Sequence, residues 1–523
     1  MKGSAVRIRS SALMRQTARS RETSEPTRLQ RLNVDIGCVI AVALFTAIGA
    51  ALRLWQIRSG LYADELNAYR EITGASFGQV LVNVSHNSIE VSPPLFFLLA
   101  NAAQRLGDPA TTIRIPAEIS GILLVPAVFI LGKLGFNRRV GLVASALTAV
   151  NVHAIYYSVE ARPYSLLMLI SSISTICLLK LIDDGRRRWL VGYSLASAAA
   201  VYTHYSTVGV LIAQFVWAMW SYPAFRRRLL AGNLFAAVLF LPWLPQITFK
   251  SGAKITLATF SFGVDSVERW ARQLVTLPYG DSGFSDLPGI GSLAILAICL
   301  TIGLVGVSLR AGKREYGLRP SSRQALFPIL VLASPAVMLI ASLITGSEFL
   351  QSRYFSASFP ALMISVAAIL ALSGRRLGIA LSAIAITASA VSAIKAEQPT
   401  YQRSDLRAVA RWAEAPGRSS ALIADWISPY NGPNPLRPYL KSPRRDKPAI
   451  GTANVFSQFE KAATIGANVV LVMNASFPEG AERNITGNPL FQLKLVETAR
   501  WPGLGGGIRV AYFVHTPASS AKR

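Results

Sequence analysis

Two adjacent carboxylates, Asp64 and Glu65, are the residues of this chain best suited to acid–base chemistry. They stand in the stretch LYADELNAYREI, which begins at Leu61 directly after the first long apolar run. A carboxylate placed there can take a proton from a hydroxyl group, and we predict that Asp64 is such a catalytic base. The alternative is a solvated helix start, where the helix dipole favours acidic residues.

The composition indicates that these acids lie at a membrane. Of 523 residues, 52% are hydrophobic and 15% are charged, and the mean hydropathy is +0.39, which is too apolar for an ordinary soluble protein. The net charge of +26 comes from short Lys and Arg clusters between apolar runs of about 20 residues, the positive-inside pattern of multi-pass membrane proteins. A DNA-binding face would not be interrupted in this way, so we predict no nucleic-acid partner.

Eleven apolar runs are long enough, or nearly so, to cross about 30 Å of hydrocarbon as helices. They are residues 36–55, 115–134, 140–157, 164–182, 189–207, 208–222, 229–247, 289–309, 325–345, 355–372 and 377–394. A further apolar piece, 93–106, is shorter and better fits an interfacial or re-entrant helix. The predicted fold class is therefore an α-helical polytopic membrane protein of about eleven transmembrane helices.

The basic clusters set the predicted orientation. If 93–106 does not cross, every cluster falls on the side of the Arg-rich segment 1–35, which we predict to be a disordered cytoplasmic tail. The membrane domain is then 36–394, with an outer catalytic loop at 56–114. Residues 395–523 have helix and strand patterns of soluble character and form a predicted extracytoplasmic α/β domain, ending in an antiparallel pair joined by a Gly-rich turn at 503–507.

This orientation gathers polar side chains from separate parts of the sequence at the outer membrane surface. They are Asp64, Glu65, Glu160, Arg162, His204, Tyr205, Arg353 and Tyr354. Span ends ordinarily collect polar residues, so the gathering supports a common site without proving one. The three cysteines lie inside apolar runs and offer neither a disulfide framework nor zinc-ligand spacing.

The order of short motifs resembles a known class. The chain carries PPLFF from Pro93, RIPAE from Arg114, YYSVEARPY from Tyr156, YTHY from Tyr202 and RYF from Arg353. From about residue 36 to 372 this order resembles the GT-C class of integral-membrane glycosyltransferases. More narrowly, it is similar to the protein-mannosyltransferase and aminoarabinose-transferase-like group, glycosyltransferase family 39 and its bacterial relatives.

The resemblance implies transfer of a sugar from a polyprenyl-phosphate donor to a hydroxyl acceptor outside the cytoplasmic (inner) membrane of a bacterium. The acceptor would be a protein, lipopolysaccharide, another envelope glycan or a lipid. Asp64 matches the catalytic base of that group, and Glu65 matches its second acid. Arg162 and Arg353 are candidates for the phosphate because guanidinium binds phosphate oxygens bidentately. Their alternatives are an ion pair with Glu160 and snorkelling to the interface, respectively.

The remaining candidates carry open alternatives. His204 could bind phosphate or sugar, or could be a hydrogen-bonded structural histidine; Tyr205, Tyr354 and Glu160 join it as predicted substrate-binding residues. Asp64, Glu65 and Glu160 could supply oxygen ligands to a divalent metal, but the resemblance implies none and we predict no cofactor. The rival function is a multi-pass transporter or lipid flippase, which would need charges buried mid-span and internal repeats.

Overall fold

The computed structural model describes residues 28–56, 60–61, 64–86, 92–250, 263–264, 268, 290–312, 322–398, 401, 403–426, 436–440, 455–474, 491–501 and 508–516. Most of these residues are helical, and a small sheet lies near the C-terminal end. The helices are α1 (Arg28–Gln56), α2 (Asp64–Ile72), α3 (Phe77–His86), α4 (Leu95–Ala103), α5 (Pro109–Thr112), α6 (Ile115–Gly135), α7 (Arg138–Val150), α8 (Val152–Ser158), α9 (Tyr164–Asp184), α10 (Arg187–Thr203), α11 (Thr207–Ser221), α12 (Arg226–Phe240), α13 (Leu244–Lys250), α14 (Ile290–Gly312), α15 (Ser322–Thr345), α16 (Phe359–Leu372), α17 (Arg375–Ala396), α18 (Leu406–Ala413) and α19 (Val455–Thr464).

Each of the eleven apolar runs overlaps a helix of the structure, which confirms the polytopic α-helical fold class. By length and apolar composition, 8 candidate spans lie among the described residues, or up to 9 if the bent pair α7–α8 counts as one. The two remaining runs correspond to α10 and α11, which have 17 and 15 residues. A helix of 15 residues rises only about 22 Å, so length alone does not establish these two as crossings.

A group of short helices fills the connection between α1 and α6. In this group α2, α3 and α4 pack on the start of α6 through one buried cluster that includes Leu66, Phe96, Phe97 and Ala117. Helix α4 has 9 residues and continues only into a short 3₁₀ turn, Gln104–Leu106. At about 1.5 Å per residue it is too short to cross a bilayer, as predicted for 93–106.

A break at Asn151 separates α7 from α8. The Asn151 side chain accepts a hydrogen bond from the Ala154 N–H, so it caps α8 and begins a new helix direction. The two helices meet at 58°. Gly121 on α6 allows α8 to approach closely, because a Cβ there would overlap the Ser158 hydroxyl. The turn after α8 is thereby held beside the start of α6.

The C-terminal region is a sheet between two helices. The strands are β1 (Leu422–Trp426), β2 (Val469–Asn474), β3 (Phe491–Trp501) and β4 (Ile508–His515), in the order β1-β2-β4-β3. Strand β1 runs parallel to β2, and the other pairings are antiparallel. Alternate residues of β2 face opposite sides: Val470 packs with α18, and Leu471 packs with α19.

The sequence patterns after residue 394 agree with these elements. The patterns predict helices at 404–414 and 456–465, strands at 421–426 and 469–474, and an antiparallel pair at 492–501 and 508–515, and each of these elements occurs close to its predicted position. The Gly-rich turn at 503–507 lies outside the described residues, as do residues 1–27 of the predicted tail. Helix α1 begins at Arg28, inside the segment that was expected to be disordered.

We predict that the two membrane faces can be separated by cysteine labelling. Gln79 on α3 and Arg187 at the start of α10 are both exposed, and the natural Cys177 and Cys299 are buried. In a Cys38→Ser background, a membrane-impermeant maleimide should label Gln79→Cys in intact cells and Arg187→Cys only after permeabilisation. The reverse pattern would overturn the predicted orientation.

Candidate active site

The two acids at the start of α2 have different environments. Successive residues of a helix point about 100° apart, so adjacent side chains need not share surroundings. The Glu65 side chain is fully buried, whereas 39% of the Asp64 side chain is exposed. Both acids lie in the first helical turn, where the dipole favours negative charge. The pair that the sequence presents as one motif is therefore divided between the protein interior and an accessible face.

Glu65 accepts hydrogen bonds from three separate parts of the chain. Arg114 donates from Nε to Oε1 at 2.8 Å and from Nη2 to Oε2 at 2.9 Å. Arg403 donates from Nη1 to Oε2 at 2.8 Å, and the Ala161 N–H donates to Oε1 at 2.7 Å. Burial raises the pKa of Glu65, but the two guanidinium groups and the hydrogen bonds outweigh it and hold the pKa below its usual value.

These contacts favour a positioning role for Glu65 over the catalytic role predicted for it. Both carboxylate oxygens are engaged by protein donors, and the side chain has no exposure through which to reach an acceptor. A buried carboxylate held by two cations is stable as an ion and a poor proton acceptor. The cluster instead fixes the first turn of α2 to the start of α6 and to the turn after α8.

Asp64 is paired with Arg353. The Arg353 Nη1 donates to Asp64 Oδ2 at 2.8 Å, across 289 positions of sequence. Arg353 lies in a 3₁₀ segment, Ser352–Ser358, that leads into α16. Its Nε is buried and has no hydrogen-bond partner among the described residues. The predicted base and the predicted phosphate-binding cation are therefore in direct contact.

Glu160 and Arg162 lie in the turn between α8 and α9, both buried. Burial raises the pKa of Glu160 to about 7, and the nearby Glu65 and Asp64 carboxylates add to this, while Arg403 and Arg162 oppose it. Arg403 Nη2 lies 3.8 Å from Glu160 Oε1. The Arg162 backbone N–H donates to the Glu160 carbonyl oxygen at 2.7 Å.

Aromatic rings extend the site from Arg353. The Arg353 guanidinium lies 5.3 Å from the Tyr354 ring centre, and the His204 ring lies 5.5 Å from Tyr354 and 5.6 Å from Tyr164. The Ser206 N–H donates to His204 Nδ1 at 3.1 Å, so a neutral imidazole carries its proton on Nε2. The predicted His204 and Tyr354 thus belong to one group with Arg353.

Tyr205 has contacts on another side. Its hydroxyl accepts a hydrogen bond from Trp243 Nε1 at 3.0 Å, in the 3₁₀ segment Leu241–Trp243. This contact links Tyr205 to the segment between α12 and α13. Among the described residues, no group of three or more His, Cys, Asp or Glu side chains is arranged to hold a metal ion, and Glu65 is paired with arginines.

Sequence reasoning missed two residues of this site. Arg114 lies directly before the span that begins at Ile115 and has Pro116 in its first turn. Its position at the end of a span could have marked it as a candidate site residue. Arg403 lies beyond the last span in a polar segment, where no local pattern marks it. Both act through contacts with Glu65 that are distant in sequence, by 49 and 338 positions.

Comparisons with known proteins agree with this fold. Residues 91–245 match the family described as dolichyl-phosphate-mannose-protein mannosyltransferase, which is less than a third of the chain. The structure is similar to ArnT from Cupriavidus metallidurans in the apo state, with a TM-score of 0.54 and 14% identity over 90% of this chain and 97% of that one. It is also similar to ArnT from the same organism bound to undecaprenyl phosphate, with a TM-score of 0.53, 14% identity and coverage of 91% and 97%. No protein of curated function matches the sequence.

Together, the family match and the fold confirm the resemblance to GT-C glycosyltransferases that the motif order indicates. The matched segment contains the start of α6 and the turn after α8, the two places from which Arg114 and Ala161 reach Glu65.

The different environments of Asp64 and Glu65 predict different costs of neutralisation. Glu65→Gln should destabilise the protein by about 3–5 kcal/mol, because two buried guanidinium groups lose their carboxylate. Asp64→Asn removes the partly exposed ion pair with Arg353 and should lower the free energy of unfolding by no more than about 1 kcal/mol. Thermal unfolding of the purified variants in one detergent compares them directly. Equal losses of stability in the two variants would contradict the conclusion that Glu65 is buried and Asp64 accessible.

Proposed function

We propose that this protein transfers a sugar from a polyprenyl-phosphate-linked donor to a hydroxyl acceptor of the cell envelope, with Asp64 as the general base. The observation that carries the proposal is the 2.8 Å contact between Asp64 and Arg353. A base and a phosphate-binding cation must lie within one substrate's length of each other for this reaction. The family match and the ArnT-like fold support the same reaction class.

In the proposed reaction, the acceptor oxygen attacks the anomeric carbon of the donor while Asp64 takes the hydroxyl proton. The bond between the anomeric carbon and the phosphate oxygen breaks, and the polyprenyl phosphate leaves with one more negative charge. A phosphate can leave as an anion without a general acid, so one base and one or more cations suffice. A glycosidase, in contrast, needs two carboxyl groups.

Arg353 is the proposed phosphate ligand. Its Nη1 is engaged by Asp64, but its buried Nε has no partner among the described residues and can donate to a phosphate oxygen. An incoming phosphate would then share the positive charge of Arg353 with the Asp64 carboxylate. Arg162, His204 and Tyr354 complete the proposed donor site, with Glu160 beside them.

The alternative of a transporter or flippase has less support from charge placement. Two buried charged side chains, Arg53 and Glu118, lie at the end of α1 and in the first turn of α6. Arg53 Nε donates to Ser158 Oγ at 3.0 Å, just before the turn that carries Glu160. These two charged side chains therefore lie at span ends near the proposed site. A transporter would instead need buried charges in the middle of its spans.

The proposed location follows from the same reaction. A polyprenyl-phosphate donor and an envelope acceptor meet at the outer face of a bacterial cytoplasmic membrane. There the polar ends of α2, α9 and α16 would face outward with the C-terminal α/β domain, and the N-terminus would be cytoplasmic. The multi-pass helical fold and the basic clusters support this arrangement.

Asp64→Asn should abolish transfer while the protein remains folded and inserted. The amide keeps the shape of the side chain but cannot take a proton, so the rate should fall by roughly 100-fold or more. The measurement is the mass profile of envelope glycoconjugates in cells that lack the gene and express the variant. Arg70→Gln, an exposed charge change on the same helix, is the control and should restore the wild-type profile. Restoration by Asp64→Asn would remove Asp64 as the base.

Arg353→Ala should weaken donor binding. Loss of a charge-assisted contact to phosphate corresponds to about 1.5–3 kcal/mol, or roughly a 10- to 100-fold higher dissociation constant. Native mass spectrometry with undecaprenyl phosphate measures the change, with Arg70→Gln again as the control. An unchanged dissociation constant would show that Arg353 does not bind the phosphate, and would favour the alternative that it only anchors the span end at the membrane interface.

A further inference from the structure

Arg403 lies outside the membrane helices and yet contacts the proposed active site. It follows the end of α17 at Ala396 and precedes α18, in the segment that leads to the α/β domain. Only 4% of its side chain is exposed. A buried guanidinium outside the hydrophobic core requires compensating partners, and its partners identify what it does.

Those partners belong to two different loops of the site. Arg403 Nη1 donates to Glu65 Oε2 at 2.8 Å and to the Val159 carbonyl oxygen at 3.1 Å. Its Nη2 lies 3.8 Å from Glu160 Oε1, and its guanidinium lies 4.8 Å from the centre of the Tyr156 ring. One side chain from the C-terminal segment therefore joins the start of α2 to the turn between α8 and α9.

We propose that Arg403 is a positioning residue, which holds Asp64 in its reactive placement by fixing Glu65 and the 159–163 turn. This inference rests on the proposed function, because it concerns the same base. Asp64 and Glu65 share the first turn of α2, so a shift of the Glu65 carboxylate moves the Asp64 backbone with it. Displacements of about 1 Å at a reacting group can lower rates by roughly 100-fold.

The C-terminal region contacts the connection between α1 and α6, which contains Asp64, at two further points. The Tyr439 hydroxyl accepts a hydrogen bond from the Leu61 N–H at 2.7 Å, three residues before Asp64. Arg407 donates from Nη2 to Asp108 Oδ2 at 2.6 Å, near the start of α5. The contacts to Leu61 and Glu65 lie on both sides of Asp64 in the sequence. By this proposal, residues of the C-terminal region contribute to the reaction by fixing the loop that carries Asp64.

Loss of Arg403 should leave a folded protein. Arg114 alone still gives Glu65 a bidentate ion pair, so the buried carboxylate keeps a compensating charge. Helix α18 and the sheet do not depend on the Arg403 side chain, because their core is formed by apolar residues such as Val409 and Val470. The effect of the substitution should therefore appear in the rate of transfer and not in folding.

The test compares Arg403→Met with Arg403→Lys in cells that lack the gene. The rate at which the missing glycoconjugate returns after induction, per amount of protein, should fall by roughly 10- to 100-fold for Met. Lys keeps the charge on Glu65 but loses the planar fork, so its rate should lie between Met and wild type. The dissociation constant for undecaprenyl phosphate, measured on purified protein, should stay within about threefold for both.

Arg411→Met is the matched control. It removes an exposed arginine of the neighbouring helix α18, to which no role in holding the loop is assigned, and its rate should remain that of the wild type. An Arg403→Met rate equal to that of Arg411→Met would overturn the proposal. So would a joint loss of undecaprenyl phosphate binding and thermal stability in both Arg403 variants, since that is the behaviour of a purely structural residue.

Failure of the proposed function can be distinguished from failure of the positioning role of Arg403. If Asp64→Asn restores the glycoconjugate, or if deletion of the gene changes no envelope glycoconjugate, then the reaction itself is wrong. An inactive Asp64→Asn beside a fully active Arg403→Met would refute only the positioning role.

Discussion

A carboxylate without solvent exposure is held at the start of α2 between Arg114 and Arg403. Removing an ion from water costs several kcal/mol, and only close, well-oriented partners offset that cost. The oxygens of Glu65 meet this condition with two guanidinium groups and a backbone N–H. Because the partners come from three distant parts of the chain, this cluster joins the start of α2 to the start of α6, the turn after α8 and the segment before α18.

Asp64 gains its placement from this arrangement. Its neighbour is fixed inside, so Asp64 is directed to the accessible side, where Arg353 meets it. The two neighbouring carboxylates thus have different surroundings. The buried acid is kept ionised by its partners and fixes the start of α2, and the accessible acid is the one that we propose as the base. The Tyr354 ring lies beside Arg353, and the His204 ring lies beside Tyr354.

Local patterns in the sequence predicted much of this fold and part of the site. Apolar length predicted the helices, and alternation predicted β2 and the β3–β4 pair, because both depend on neighbouring residues. Span parity and motif order predicted the grouping of Asp64 with Arg353. They did not predict the surroundings of Glu65, because its partners Arg114 and Arg403 are distant in sequence and approach it only in three dimensions. The direction of Tyr205 and the bend at Asn151 likewise depend on packing that no local pattern contains.

The most direct test of this account is a structure of the protein determined with undecaprenyl phosphate. We expect the phosphate within hydrogen-bonding distance of Arg353 Nε, with the Asp64 carboxylate facing the same space and Glu65 still bound to Arg114 and Arg403. A phosphate bound elsewhere, with Arg353 engaged only by Asp64, would contradict the assignment of base and phosphate ligand.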